Sequence, residues 1–205
     1  HLLIGAMLII GMVTIPLMAN TVLGTDPLEG GLRLLRMTIA IPVGAVLGGI
    51  LTQRIEIRLP AAAGLILTAA GFYMMSRWDL AIADPTMTIH LAIAGFGFGL
   101  LISPVTTAAM TPAMEGDRGA ASSLTTVSRM LGMTFGLAAI TAWGTDHFNT
   151  LVADAPAFTS DPAIQAEISR LASDAGLEVF QAFFMAAAVI SLLALIPAWI
   201  MARAD

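Results

Sequence analysis

The chain has 205 residues, 58% of them hydrophobic and 11% charged, with a formal net charge of −5. An average soluble domain carries about 25% charged residues, and a soluble fold needs more polar surface than this chain supplies; the bulk of it is predicted to lie in lipid. Cysteine is absent, which excludes disulfide, thiol and cysteine–zinc chemistry, and nine basic residues, all Arg, are too few for a nucleic-acid surface.

Six apolar segments reach the roughly 20 residues that cross a hydrocarbon core of about 30 Å. They are residues 2–23, 34–52, 59–76, 87–110, 119–143 and 179–202. Lipid leaves an unpaired backbone unsatisfied, and no alternating barrel pattern is present, so all six are expected to be helices. The first begins "HLLIGAMLII", without an initiator Met and with no charged leader or cleavage site before it. A signal peptide is therefore rejected, and the chain is expected to be a fragment. Pro16, Pro42, Pro104 and Pro197 fall inside spans, where neighbouring helices can re-satisfy the carbonyls they free.

The connections differ in length. "GILTQRIEIRLP" (Gly49–Pro60) alternates Arg54, Glu56 and Arg58 with Ile55, Ile57 and Leu59. Alone it reads as a half-buried strand; between two apolar runs it reads as a tight helical hairpin. The connection 144–178 is long for a structureless loop. Within it a short amphipathic helix is predicted over 162–175, lying on the bundle end or the membrane surface. Asp161 would cap it, Pro162 take its first position and Gly176 close it, with Ile164, Ile168 and Leu171 on one face.

Arg129 is the sharpest anomaly. It lies about 15 Å into the fifth span at 1.5 Å per residue, near the bilayer centre, where an Arg costs about 2.5–3.5 kcal/mol. Ser122, Thr125, Thr126, Gly132 and Gly136 fall near it at helical spacing. Arg129 is either a cavity cation that meets substrate or a carboxylate on another span, or a structural Arg bonded to carbonyls at a kinked neighbour such as Pro104. Gly44 and Gly48, Gly95 and Gly99, and Gly132 and Gly136 are small-x3-small pairs that let helices approach closely. The 13 Met residues suit either an adaptable wall for apolar substrates or ordinary membrane-helix packing. His90 reads as an interfacial residue with a water partner, a proton relay being the alternative. No Asp or Glu lies inside the six segments, so a coupling carboxylate, if transport is proton-driven, belongs to another part of the protein.

A faint repeat joins the halves. Gly11 and Pro16 recur as Gly99 and Pro104, and Glu29 followed by Gly30 recurs as Glu115 followed by Gly116. Three spans followed by three similar spans of opposite topology is the inverted repeat of many secondary transporters. Arg54, Arg58, Arg118 and Arg203 on one side balance Arg33, Arg36, Arg77 and Arg170 on the other, so the positive-inside rule assigns no orientation.

The hairpin resembles the signature Gly-x-Leu-x-Asp-Arg-x-Gly-Arg-Arg of the major facilitator superfamily. Gly49, Leu51, Arg54 and Arg58 match it; Gln53 replaces the acid, Glu56 a glycine and Ile57 an arginine. "DPLEGGLRLLRMTIAIPVGAVLGG", "GFGFGLLISP" and "GAASSLTTVSRMLGMTFGLAAI" are similar to the C-terminal half of the fourteen-span drug:proton antiporters (EmrB/QacA type). The resemblance covers essentially the whole chain. It implies an all-α integral membrane fold, six transmembrane helices forming a C-terminal half-bundle with a 3+3 inverted repeat. It implies a conformational latch at Gly49, Gln53, Arg54 and Arg58, in which Gln53 cannot supply the negative charge. It places the hairpin and both chain ends on the cytoplasmic side of a bacterial inner membrane, with the loop 144–178 periplasmic. The expected partners are the missing N-terminal half, the bilayer and an amphipathic drug, dye or lipid, with a proton gradient and no cofactor or metal. An intramembrane enzyme is disfavoured: Ser103 sits in Ile-Ser-Pro, with no His at matching depth on the last two spans. A non-transporting membrane scaffold or degenerate fragment is the alternative.

Overall fold

In the computed structural model, residues 1–110, 117–156 and 161–201 are described. They form helices α1 (Leu2–Thr21), α2 (Pro27–Thr52), α3 (Arg58–Met75), α4 (Asp84–Met110), α5 (Arg118–Leu151), α6 (Pro162–Leu193) and α7 (Leu195–Met201). The stretch Thr111–Gly116, which holds Glu115 of the faint repeat, lies outside the described residues. So do the side chain of Arg118 and the C-terminal residues Arg203 and Asp205.

Local chemistry sets several helix ends. Gly24 turns the chain between α1 and α2 with φ of 63°, a conformation other residues rarely adopt. Asp26 and Pro27 start α2, with Glu29 in its first turn, so this helix begins seven residues before the apolar run expected from Leu34. The Asp161 side chain accepts from the Ala163 N–H at 2.9 Å, and Pro162 takes the first position of α6, as the sequence predicts.

Glycine decides which helices touch. α2 and α4 run parallel: a Cβ on Gly95 or Gly99 would lie 2.0 Å from the carbonyl oxygen of Met37 or Ile41. α1 and α5 also run parallel, and a Cβ on Gly5 or Gly132 would lie 2.0 or 1.9 Å from the carbonyl oxygen of Arg129 or Leu2. No other residue allows backbones so close. α3 lies antiparallel to α4 along Gly64, Thr68 and Gly71. α6 lies antiparallel to α1: Gly176 meets Val22 at one end, and at the other Ser191 Oγ lies 2.8 Å from Met7 Sδ. Between them, Phe72 packs edge-on to Phe98 at 6.2 Å and stacks on Phe184 at 6.4 Å, all three fully buried.

The structure corrects three expectations. The amphipathic segment 162–175 is not a separate helix closed by Gly176. It is the first half of α6, and Gly176 sits inside the helix where a larger residue would strike Val22. Four turns of α6 therefore project past the end of α1, about 21 Å at 1.5 Å per residue. α5 continues through Leu151 rather than ending at Trp143, so the first part of the expected loop 144–178 is helical. The last span is interrupted: α6 ends at Leu193 and α7 starts after Ala194. Pro197 has no N–H for the Leu193 carbonyl and its ring crowds that group, which breaks the helix there.

The repeat motif also behaves unexpectedly. Gly11 packs against Met37 and Phe72 of α2 and α3, whereas Gly99 packs against the α2 backbone. Their matching spacing does not mark matching contacts.

Candidate functional site

α1, α2, α3, α4 and the stretch Pro162–Ile200 are each long and apolar enough to cross a membrane. α5 is longer than any of these four single helices, but Arg129 and a run of hydroxyls make it less apolar. On it, Thr125 and Thr126 both donate to the Ser122 carbonyl oxygen at 2.8 and 3.0 Å, and Ser123 donates to that of Gly119 at 2.9 Å. Each hydroxyl proton is thus held by the helix itself, leaving the oxygen lone pairs outward. Ser122 is exposed and Thr125, Thr126 and Arg129 are partly so.

The Arg129 backbone carbonyl abuts Gly5 of α1, which holds this turn of α5 against its neighbour. Its guanidinium makes no hydrogen bond or ion pair among the described residues. Most other described arginines are partnered. Arg33 meets Glu29 at 2.8 Å, Arg36 pairs with Asp84 and donates to Thr88 at 2.8 Å, and Arg170 meets Asp174 at 3.7 Å. Arg77 lies over the Tyr73 ring and donates to its hydroxyl at 3.1 Å. The structural alternative for Arg129, bonding to carbonyls near Pro104, is not realised among these residues. Pro104 has another role. It deprives the Leu100 carbonyl of its helical donor, and that carbonyl is turned onto Gly48 of α2, where a Cβ would lie 2.5 Å away.

The hairpin forms a separate group, with no hydrogen bond or ion pair to Arg129. The Gln53 N–H closes α2 on the carbonyl of Ile50, and Gly49 lets Ser103 Oγ of α4 approach within 3.4 Å of a would-be Cβ. Arg58 pairs with Glu56 and lies 5.4 Å over the Trp199 ring of α7. The hydrogen bond and charge of Arg58 hold the Glu56 carboxyl below its ordinary range. The residue that replaces a signature glycine thus engages a signature arginine locally. Arg54 is exposed and makes no such contact among the described residues.

His90 has a protein partner. The Trp78 indole N–H donates to His90 Nδ1 at 2.9 Å, which leaves the ring proton of a neutral His90 on Nε2. Gln181 donates to the Trp78 carbonyl at 2.6 Å and ties α6 to the same corner. Sequence reading missed an elongated groove bounded by α1, α5 and α6, with a volume of about 490 Å³. Thr141 and Thr145, and Ser169 and Ser173, line it. Their four-residue spacing was visible in the sequence, but nothing there showed that the two helices face each other.

No family model matches the chain. It is 40% identical over 158 residues to a triacylglyceride transporter of Mycolicibacterium hassiacum, which covers 72% of this chain and 30% of that protein. It is 38% identical over 177 residues to one of Mycolicibacterium smegmatis (80% and 32%). It is 36% identical over 160 residues to one of Mycobacterium tuberculosis (73% and 31%). The chain spans about a third of the length of these curated relatives. Among solved structures, the xylose transporter XylE from E. coli, partially occluded and inward open, superposes with a TM-score of 0.56 at 18% identity, over 97% of this chain and 46% of that one. The chain has a major-facilitator-like fold. It is similar in sequence to membrane transporters, and its apolar helices make it a multi-pass membrane protein. The relatives' names concern triacylglyceride, not the drugs of the antiporter branch that the sequence motifs resemble.

Proposed function

We propose that this chain is the C-terminal six-span half-bundle of a secondary active transporter that exports amphipathic or lipid-like molecules by alternating access. In this reading α5 is the sixth crossing, tolerated in lipid because its polar face meets the N-terminal half of the same protein. Proton coupling would use a carboxylate on that half. Arg129 carries the reading: a cation in the middle of a membrane helix, without a partner among the described residues, needs an anion or an aqueous cavity supplied from outside them.

The helix pairing supports a three-plus-three repeat. Exchanging α1, α2 and α3 with α4, α5 and α6 turns the parallel α1–α5 pair into the parallel α4–α2 pair. The relatives' names favour a neutral lipid over a drug as substrate. The hairpin after α2 would face the cytoplasm of a bacterial inner membrane, with Arg54 as the latch cation left for the other half, and both chain ends would lie on that side.

The test uses the full-length transporter in proteoliposomes with an imposed proton gradient. Arg129→Ala is expected to lower export of a fluorescent neutral lipid about tenfold or more, with Arg129→Lys retaining part of it. Unchanged export with Ala would remove the cavity role.

A further inference from the structure

We propose that the groove between α1, α5 and α6 binds the acyl chain of an uncharged ester lipid at a site separate from the Arg129 face. α1 packs closely on both other helices, α5 and α6 meet where Gly144 admits Phe183, and the slot lies among the three. Its volume of about 490 Å³ falls in the roughly 300–1,000 Å³ range of small-molecule sites. Val13 and Leu17 of α1, Ile140 and Phe148 of α5, and Val179 and Phe183 of α6 make it apolar.

The shape suits a chain better than a compact ring system. Along α6 the lining runs from Phe183 to Ser169, about 21 Å at 1.5 Å per residue. That exceeds the roughly 15 Å hydrocarbon depth of one leaflet. The slot passes Val22, where α1 ends, and reaches the base of the projecting turns of α6. An occupant would therefore lie partly at membrane depth and partly beyond it.

The hydroxyls point to a ligand. Elsewhere helical threonines donate to the carbonyl one turn back, as Thr52 does to Gly48 at 2.6 Å, Thr68 to Gly64 at 2.8 Å and Thr106 to Ile102 at 2.7 Å. In the groove only Thr21 does so, to Leu17 at 2.8 Å. Thr14, Thr141, Thr145, Ser169 and Ser173 make no hydrogen bond among the described residues. Thr14 is the telling one: it lines the groove, is fully buried, and its Oγ1 has no partner among the described residues. A buried hydroxyl is ordinarily satisfied, and the exposed Thr141, Thr145 and Ser169 of the same lining are donors that an ester carbonyl can reach.

Charge decides the class of lipid. No charged side chain lines the groove. At its edge His147 Nε2 lies 3.5 Å from Glu178 Oε1, so the nearby carboxylate and imidazole engage each other. A buried carboxylate or phosphate would need a cation that the lining lacks, whereas an ester needs only donors. Arg129 lies eleven residues from Ile140 on α5, about 16 Å along the helix. Occupancy of the groove needs the membrane but not transport, so it stands or falls independently of the function proposed above.

The test is photolabelling of the full-length protein in phospholipid vesicles, without a proton gradient, by a triacylglycerol carrying a diazirine on one acyl chain. Labelled peptides are mapped by mass spectrometry. Labelling is expected to saturate, to concentrate on residues 13–22, 140–148 and 169–183, and to be competed by unlabelled neutral ester but not by free fatty acid or added phospholipid. Ala172→Trp, which fills the slot from the α6 wall, is expected to lower it about fivefold. Thr145→Trp at the exposed mouth gives the same test if Ala172→Trp does not fold. Thr14→Val, which keeps the shape, is expected to weaken competition about twofold or more. Arg129→Ala should leave labelling intact. Non-saturating labelling that ignores both Trp variants would mean bulk lipid contact and overturn the site. Equal competition by fatty acid or phospholipid would overturn the uncharged class, and loss of labelling in Arg129→Ala would overturn its separateness.

Discussion

The α2–α4 and α1–α5 pairs are built alike and end differently. In each, two parallel helices meet through glycines whose missing Cβ would fall about 2 Å from an opposing carbonyl oxygen. Yet the outward face of α2 is a plain apolar surface of Leu32, Leu35, Ile39, Val43 and Val46, and its one cation along this face, Arg36, is paired to Asp84 of α4. The outward face of α5 mixes Leu124, Val127 and Phe135 with hydroxyls and Arg129, which has no partner among the described residues. Close packing is therefore common to both pairs, and what differs is whether the cation is paired among the described residues. Such a group is costly in lipid, which supports the proposal that α5 faces another part of the protein.

The largest expected effect falls on the shared feature. Gly95→Ala and Gly132→Ala each drive a methyl into a backbone carbonyl, and overpacking of this kind costs about 1–3 kcal/mol, occasionally more. Both variants should lose monodisperse protein on heating well before the wild type, as measured by size-exclusion after a temperature ramp. A tolerated Gly132→Ala beside a damaged Gly95→Ala would break the likeness of the two pairs.

The next test separates the two cations. Arg129→Ala is expected to abolish most export while leaving thermal stability within a few degrees. Arg36→Ala should do the reverse on a small scale, because an exposed ion pair contributes about 0–1 kcal/mol and nothing assigns it to transport. Equal transport losses in the two variants would erase the distinction drawn here.

The smallest effect concerns the hairpin. The Glu56 carboxyl is held below its ordinary value by Arg58, so the pairing is fully present at neutral pH and is lost as pH falls through the lowered value, below the usual range of about 4.3. Arg58 lies over Trp199. Emission of Trp199, in a protein whose Trp78 and Trp143 are replaced by Phe, should therefore change only in that acid range, and Glu56→Gln should remove the transition. A transition near neutral pH would mean that another group controls the contact.

Much of this organisation is legible along the chain because its causes are local. Composition demands lipid, apolar length gives five of the six expected crossings, and Asp161 followed by Pro162 marks a helix start. Arg129 stands out because its cost depends on depth alone. Other features resist reading for equally physical reasons. Gly176 looks like a helix stop, since glycine commonly ends helices, but here it is needed for contact with Val22, which is distant in sequence. Gly11 and Gly99 look equivalent because spacing is visible and partners are not.

The sequence by itself determined that this is a multi-pass helical membrane protein with a charged hairpin, glycine-lined helices and one costly arginine, because hydropathy, helical period and charge are properties of single segments. Only the tertiary structure decided that Glu56 occupies Arg58, that His90 answers Trp78, that α6 runs unbroken past the end of α1, and that six hydroxyls from three helices line one slot. Those facts depend on which segments face each other, and facing is set by the packing of the whole bundle.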